Sequence, residues 1–227
     1  MKRKFQLSAS LICGNPLALG EDLKELEKGG IDALHFDVMD GMFVPRLGLY
    51  PELLKEIKSK TSKPVNAHLM IEMPERYVQL FVASGADIVV AHAESTAHLD
   101  RCVRLIREAG GRAGAALNPG TPLTALEHVL PDIELVMLMA INPGIVGHKL
   151  IPQMMQKIAD ARKMLKRYPK VRIEIDGGVS PESAARMVSL GADVLVCGTS
   201  SIYKKDMPLT KTIPEFRSHV EKELKSL

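Results

Sequence analysis

The sequence predicts a closed (β/α)₈ barrel, the TIM-barrel class of α/β folds, on three observations. Short apolar runs and segments of helical spacing alternate eight times along the chain, an order that implies right-handed βαβ crossovers and a parallel sheet. Eight such units in 227 residues match the roughly 200 to 250 residues of a closed barrel better than an open doubly wound sheet. Gly85-Ala86-Asp87 and Gly191-Ala192-Asp193 each stand directly before a strand and mark equivalent turns at the bottom of the barrel. No linker, low-complexity tract or charge block divides the chain, so residues 1–227 read as a single domain. A hydrophobic share of 46% supplies one large core.

The first apolar segment, residues 6–13, ends at the turn signal Gly14-Asn15-Pro16. A helix follows with Leu17, Leu19, Leu23 and Leu26 at helical spacing and stops at Gly29-Gly30. The second strand carries Leu34 to Gly41, and after a loop Pro51 opens a helix to about residue 60. Strands at 65–70, 88–91 and 113–117 are trailed by helices at 74–84, 97–109 and 122–130. Strands at 135–139 and 171–176 lead helices of about 151–167 and 181–190, and the last pair is 194–197 with a helix over 213–227.

Lys plus Arg number 30 against 27 Asp plus Glu, and Trp is absent. The charges are interspersed, which argues against nucleic acid and suits a phosphorylated small molecule. Cys13, Cys102 and Cys197 are odd in number and widely spaced, the pattern of reduced thiols in a cytoplasmic protein. No apolar run approaches the roughly 20 residues that cross a bilayer. The start, Met1-Lys2-Arg3-Lys4-Phe5, has no signal-peptide core, so the expectation is a soluble, intracellular protein with no membrane partner.

The chain is organised around Leu34-His35-Phe36-Asp37-Val38-Met39-Asp40-Gly41. In a strand His35, Asp37 and Met39 point to one face, where a buried imidazole and carboxylate cost several kcal/mol unless paired or metal-bound. A barrel gathers the C-terminal ends of all its strands at one face, which brings in His68 of strand 3 and Asp176 of strand 7. Two imidazoles and two carboxylates make a reasonable four-donor site for one divalent ion, Zn²⁺ or Mn²⁺, Fe²⁺ or Co²⁺, with no organic cofactor. The competing reading is that the histidines and carboxylates are satisfied structural pairs. Asp37 and Asp176 also suit two-base proton chemistry, one removing a proton from carbon and the other returning it on the opposite face. A metal polarising the adjacent carbonyl would stabilise the developing enediolate. Asp40, an odd step from Asp37, faces away and reads as a turn residue.

Three glycine-bearing strand ends suggest a phosphate grip through backbone N–H groups. They are Asn142-Pro143-Gly144-Ile145-Val146-Gly147-His148, Gly177-Gly178 and Gly198-Thr199-Ser200-Ser201. Met39, Met70 and Met139 are read as a soft apolar wall at the barrel mouth, with ordinary core packing as the alternative.

Taken together these residues resemble the ribulose-phosphate 3-epimerase family over nearly the whole chain. The resemblance rests on Leu7-Ser8-Ala9-Ser10-Leu11, His35 to Pro45, His68-Leu69-Met70, Asn142-Pro143-Gly144, Asp176-Gly177-Gly178 and Gly198-Thr199-Ser200. It implies a (β/α)₈ barrel with a divalent metal on His35, Asp37, His68 and Asp176, and Asp37 and Asp176 as paired acid and base. It also implies that Ser10 and His68 touch the sugar, that the three methionines line the pocket, and that the protein is a homo-oligomer. The activity implied is inversion at C3 of a ketose phosphate, chiefly D-ribulose 5-phosphate to D-xylulose 5-phosphate. Arg46 stands where the family usually has Asn, and Val146 and His148 replace a glycine and a glutamine in its Gly-Phe-Gly-Gly-Gln loop. Those departures keep the sister activity, 3-epimerisation of D-allulose 6-phosphate, as an alternative.

Two readings of other classes compete. A non-catalytic phosphosugar-binding paralogue would have no need of two opposed carboxylates. A phosphosugar lyase or decarboxylase usually needs a strand-borne Lys, and no predicted strand core carries one; Lys149 falls in the loop after strand 6.

Overall fold

Eight parallel strands pair in sequential order, β8 closing on β1: β1 (Gln6–Ser10), β2 (Ala33–Met39), β3 (Val65–Met70), β4 (Ile88–His92), β5 (Arg112–Leu117), β6 (Leu135–Met139), β7 (Arg172–Asp176) and β8 (Val194–Cys197). The computed structural model describes residues 5–145 and 147–227. Seven α-helices among the described residues cover the barrel: α1 (Leu19–Gly29), α2 (Pro51–Lys60), α3 (Val78–Ala83), α4 (Leu99–Glu108), α5 (Met154–Met164), α6 (Pro181–Ser189) and α7 (Leu209–Glu223). The chain is therefore the (β/α)₈ barrel that the alternation predicts. None of the described helices is long and apolar enough to cross a membrane. The residues at 1–4 and Val146, each the subject of a sequence expectation, lie outside the described residues.

The period-two pattern of each strand divides two cores. Leu34, Phe36 and Val38 of β2, with Val65, Ala67 and Leu69 of β3 and their counterparts around the sheet, pack outward under the helices. Ile88, Val90, Ala116, Leu135, Met137 and Met139 fill the barrel itself. The register aligns Ser10 with His35, Asp37 with His68, Met39 with Met70, and Met139 with Asp176. Polar side chains thus continue the interior stack towards the C-terminal ends of β1, β2, β3 and β7.

Three elements depart from expectation, the first being the helix predicted over 74–84, which opens as a 3₁₀ turn at Pro74–Arg76 and is α-helical only over Val78–Ala83. The helix predicted over 122–130 is replaced by two 3₁₀ turns, Leu123–Leu126 and Leu130–Asp132. Ala125, Glu127 and Val129 donate to the carbonyls three residues back, and Pro131, which has no N–H to offer the Glu127 carbonyl, bars an α-helix from continuing past Leu130. The C-terminal helix begins at Leu209 rather than 213. Pro214 sits inside it, and the Leu209 N–H is held from α1 by Glu25 at 2.7 Å.

The bottom of the barrel is latched by a repeated device. Asp32, Asp87 and Asp193, each placed just before an even-numbered strand, accept the backbone N–H of the preceding strand at Leu7 (2.9 Å), Val65 (2.8 Å) and Ile173 (2.8 Å). Each carboxylate also pairs with a helix cation, Arg217, Lys58 and Arg162 respectively. The Gly-Ala-Asp repeats are two of these three latches. Gly191, at φ 119°, takes a backbone conformation that only glycine adopts readily. Replacing Asp193 by Ala strands the Ile173 N–H and the Arg162 charge, so chemical denaturation of Asp193→Ala should show a loss of about 1.5–3 kcal/mol. A midpoint unchanged from the parent protein would contradict this account of the latch.

Candidate active site

Strand alternation sends His35 and Asp37 of β2, His68 of β3 and Asp176 of β7 to the same point of the barrel interior. One donor atom from each lies within 4.8 Å of all the others. His35 Nε2 is 3.3 Å from Asp37 Oδ1, 3.6 Å from Asp176 Oδ2 and 3.3 Å from His68 Nδ1. His68 Nδ1 is 3.4 Å from Asp176 Oδ2 and 3.9 Å from Asp37 Oδ1. Four donors held about 2.1 Å from a central ion in a tetrahedron stand about 3.4 Å from one another, so the cluster has the dimensions of a divalent-cation site.

Electrostatics point the same way. Both imidazoles are completely buried. Burial alone would push His35 down, yet the carboxylates of Asp37, Glu174 and Asp176 hold it well above the ordinary imidazole value. For His68 burial dominates and, with His92 and His35 beside it, pushes it well below. Among the described residues no Lys or Arg pairs with any of these three carboxylates. The carboxylates that raise His35 are the charge a cation would balance, and the residues present fit a divalent metal.

Four supporting residues were not singled out from the sequence. Glu174 of β7 is buried and accepts from His35 Nδ1 at 3.1 Å and from Asn66 Nδ2 at 2.8 Å, which leaves His35 Nε2 free for the cluster. His92 lies against His68, and Glu94 lies behind His92. The signal was available for three of them. Glu174 and Asn66 stand two residues before Asp176 and His68, and His92 ends the apolar run 88–91 on its inward face.

Above the cluster opens a pocket of about 610 Å³. Asp37 and Asp176 line it, while His35 and His68 are fully buried behind them and do not reach its surface, His68 included although the sequence placed it against the sugar. Ser10 lines it and donates to Asp37 Oδ2 at 2.7 Å. Met39, Met70 and Met139, each almost fully buried, expose their remaining surface to it. Around one side run Gly144, Gly147, Gly177, Gly178, Gly198 and Thr199, the three strand-end loops now brought together. Gly144, at φ 78°, passes so close to Val44 that a Cβ would sit 2.5 Å from it. Ser180 and Ser183, which form the capping box of α6, complete this corner and turn a helix N-terminus towards it. Arg46 and Lys149 add positive charge at the mouth, with His148 beside them. Asp40 lies apart, its carboxylate accepting the N–H groups of Met42, Phe43 and Glu72.

Comparison with known proteins agrees with this architecture. The ribulose-phosphate 3 epimerase family profile matches residues 6–203. The chain is 41% identical over 215 residues to ribulose-phosphate 3-epimerase of Bacillus subtilis, covering 94% of this chain and 98% of that one. It is 35% identical over 222 residues to the Escherichia coli K12 enzyme of the same name, covering 97% and 98%. Among solved structures, KGPDC from Streptococcus mutans superposes with a TM-score of 0.72 at 12% identity, covering 96% of this chain and 98% of that one. 3-Hexulose-6-phosphate synthase from Salmonella typhimurium does so with 0.69 at 19%, covering 96% and 99%; these two share the fold. Barrel, site and relatives together define an isomerase acting on carbohydrates. The chain belongs to the ribulose-phosphate 3-epimerase family.

Glu94 gives the site surround an acid limit. Burial would raise its carboxyl, but hydrogen bonds from His92, Thr121 and the Asn118 N–H hold it down at about 2, against an ordinary 4.5. With the folded value below the unfolded one, this stabilisation is complete above pH 4.5 and is lost as the pH falls towards 2. Allowing for its partial exposure, Glu94→Gln should remove about 1–2 kcal/mol of the acid-dependent loss. Urea midpoints of parent and variant at about pH 6 and about pH 3 measure it.

Proposed function

We propose that this protein inverts C3 of a ketose phosphate, D-ribulose 5-phosphate to D-xylulose 5-phosphate, by proton transfer between Asp37 and Asp176. The observation that carries the reading is the convergence of two carboxylates and two buried imidazoles beneath a pocket with a glycine-rich, helix-capped corner, in a chain of this family. His35 Nε2, Asp37 Oδ1, His68 Nδ1 and Asp176 Oδ2 would hold one divalent ion, Zn²⁺ or Mn²⁺, Fe²⁺ or Co²⁺. When bound, that ion supplies positive charge beside the substrate oxygens that become negative.

Asp37 acts at Oδ2, the oxygen turned towards Ser10, and Asp176 at the oxygen not turned towards the histidines. One carboxylate takes the C3 proton, whose electron pair moves into the C2–C3 bond as the C2 carbonyl oxygen gains charge. The other, protonated, returns a proton to C3 from the opposite face. Ser10 steadies the charged form of Asp37, and the three methionines keep water from the flat intermediate. The N–H groups at Gly144, Gly147, Gly177, Gly178, Gly198 and Thr199 receive the phosphate. We place the enzyme in the cytoplasm as a homo-oligomer, a reading supported by its free cysteines and by Met42, Leu47 and Tyr50, all more than half exposed on one loop.

Asp37→Asn and Asp176→Asn should each lower kcat by at least about 10²–10⁴-fold without loss of fold, read as epimerisation with solvent deuterium entering at C3. Folded, metal-loaded variants that turn over as fast as the parent would sink the two-base reading, and substrate binding without any deuterium entry would favour a phosphosugar-binding role.

Arg46, His148 and Lys149 at the pocket mouth favour one second reading, D-allulose 6-phosphate, whose phosphate lies one carbon further out. Side-by-side kcat/KM values should favour the pentulose by tenfold or more, about 1.4 kcal/mol. A hexulose preference would instead make these three residues the determinants of specificity.

A further inference from the structure

A histidine serves a cation only through a ring nitrogen that carries no proton, so each of His35 and His68 has to be kept in one tautomer. Glu174 does this directly for His35. For His68 the structure offers a longer arrangement that begins outside the pocket. His92, at the end of β4, is completely buried; its Nε2 lies 2.8 Å from Nε2 of His68, and its Nδ1 lies 3.1 Å from Oε2 of Glu94. The two ring centroids are 5.0 Å apart with planes 25° from parallel. That is the separation of rings meeting nitrogen to nitrogen, so the contact is a hydrogen bond near the ring planes rather than a stack. Phe43 closes the other side of His92, with centroids 4.9 Å apart.

Between two imidazole nitrogens there is room for one proton, and the far end of the chain determines whose it is. An ionised carboxylate only accepts. Glu94 is fixed in place by the Asn118 N–H at 2.7 Å, and Lys157 ties down the same loop by donating to the carbonyls of Asn118 (2.8 Å) and Thr121 (2.6 Å). With Glu94 accepting, a neutral His92 carries its proton on Nδ1 and offers a lone pair at Nε2. His68 must then donate from Nε2. Its Nδ1, 3.4 Å from Asp176 Oδ2, is left unprotonated and aimed at the cluster.

We propose that Glu94 is a positioning residue for the divalent cation, acting through His92 to lock His68 in the tautomer that leaves Nδ1 open. This rests on the four-donor reading given above. Carboxylates that hold metal-bound histidines commonly contribute 10- to 100-fold in affinity, and here the carboxylate acts from one ring further away.

Two measurements test it. In the unsubstituted, metal-free protein, long-range ¹⁵N–¹H correlation spectra should show His68 protonated at Nε2 and His92 at Nδ1. His68 protonated at Nδ1 overturns the proposal without any variant having to fold. In chelator competition, Glu94→Gln should bind Co²⁺ about 10- to 100-fold more weakly than the parent, with His35 still protonated at Nδ1. In a His92→Ala background the same change should cost nothing further. Unchanged Co²⁺ affinity in Glu94→Gln, or an equal loss with and without His92, means that Glu94 only supports its loop and overturns the proposal. An unsubstituted protein that binds no Co²⁺ overturns the four-donor reading and this inference with it, an outcome distinct from a variant that binds as tightly as the parent.

Discussion

Burying two carboxylates and two imidazoles side by side is the constraint on which the rest of this protein depends. Each of these groups loses several kcal/mol of hydration unless something replaces the water. The replacement is organised in directions. Below, Glu174, itself held by Asn66, meets His35; to one side, His92, backed by Glu94, meets His68; above, Ser10 meets Asp37. What remains unmatched is net negative charge at the centre, which a divalent cation would balance.

A closed parallel barrel is well suited to carry such a cluster. Asp37 and His68 are direct neighbours in register, while Asp176 arrives from β7 across the interior, so the donors rest on strands rather than on loops. Rigid elements of this kind hold a site more closely than loops do. The same scaffold occurs in proteins only 12% and 19% identical to this chain with TM-scores near 0.7. Barrel geometry therefore does not specify chemistry. The side chains at the strand ends do.

Much of this was legible in the residues because period-two alternation is a strong signal. It located His35, Asp37 and Met39 on one face, and the recurrence of strand and helix supplied the face at which His68 and Asp176 join them. The same alternation, carried two residues back from His68 and Asp176, leads to Asn66 and Glu174, whose polar character was readable and whose inward position follows from that of their neighbours. His92 was harder. The apolar run of β4 ends at Ala91 and the imidazole sits one residue on, where a strand and a loop look alike. Glu94 was not legible at all, since its partners, Asn118 and Thr121, come from the loop after β5. The predicted helix over 122–130 failed for a local reason: helical spacing of Leu123, Leu126 and Leu130 is also compatible with successive 3₁₀ turns when proline bounds the segment.

The aspartate latches at the bottom bear on how the chain acquires its shape. Each joins the two strands of one βαβ unit, and the bonds span only 25, 22 and 20 residues. Contacts of such short sequence separation form early and with little loop entropy to overcome. The pairing of β1 with β8, by contrast, joins the two ends of the chain. A ribosome releasing this polypeptide would therefore deliver it as a series of units that each clasp themselves, with ring closure as the final event. Until β8 emerges, β1 presents an open edge, and that interval is when the nascent chain has most need of protection from its neighbours.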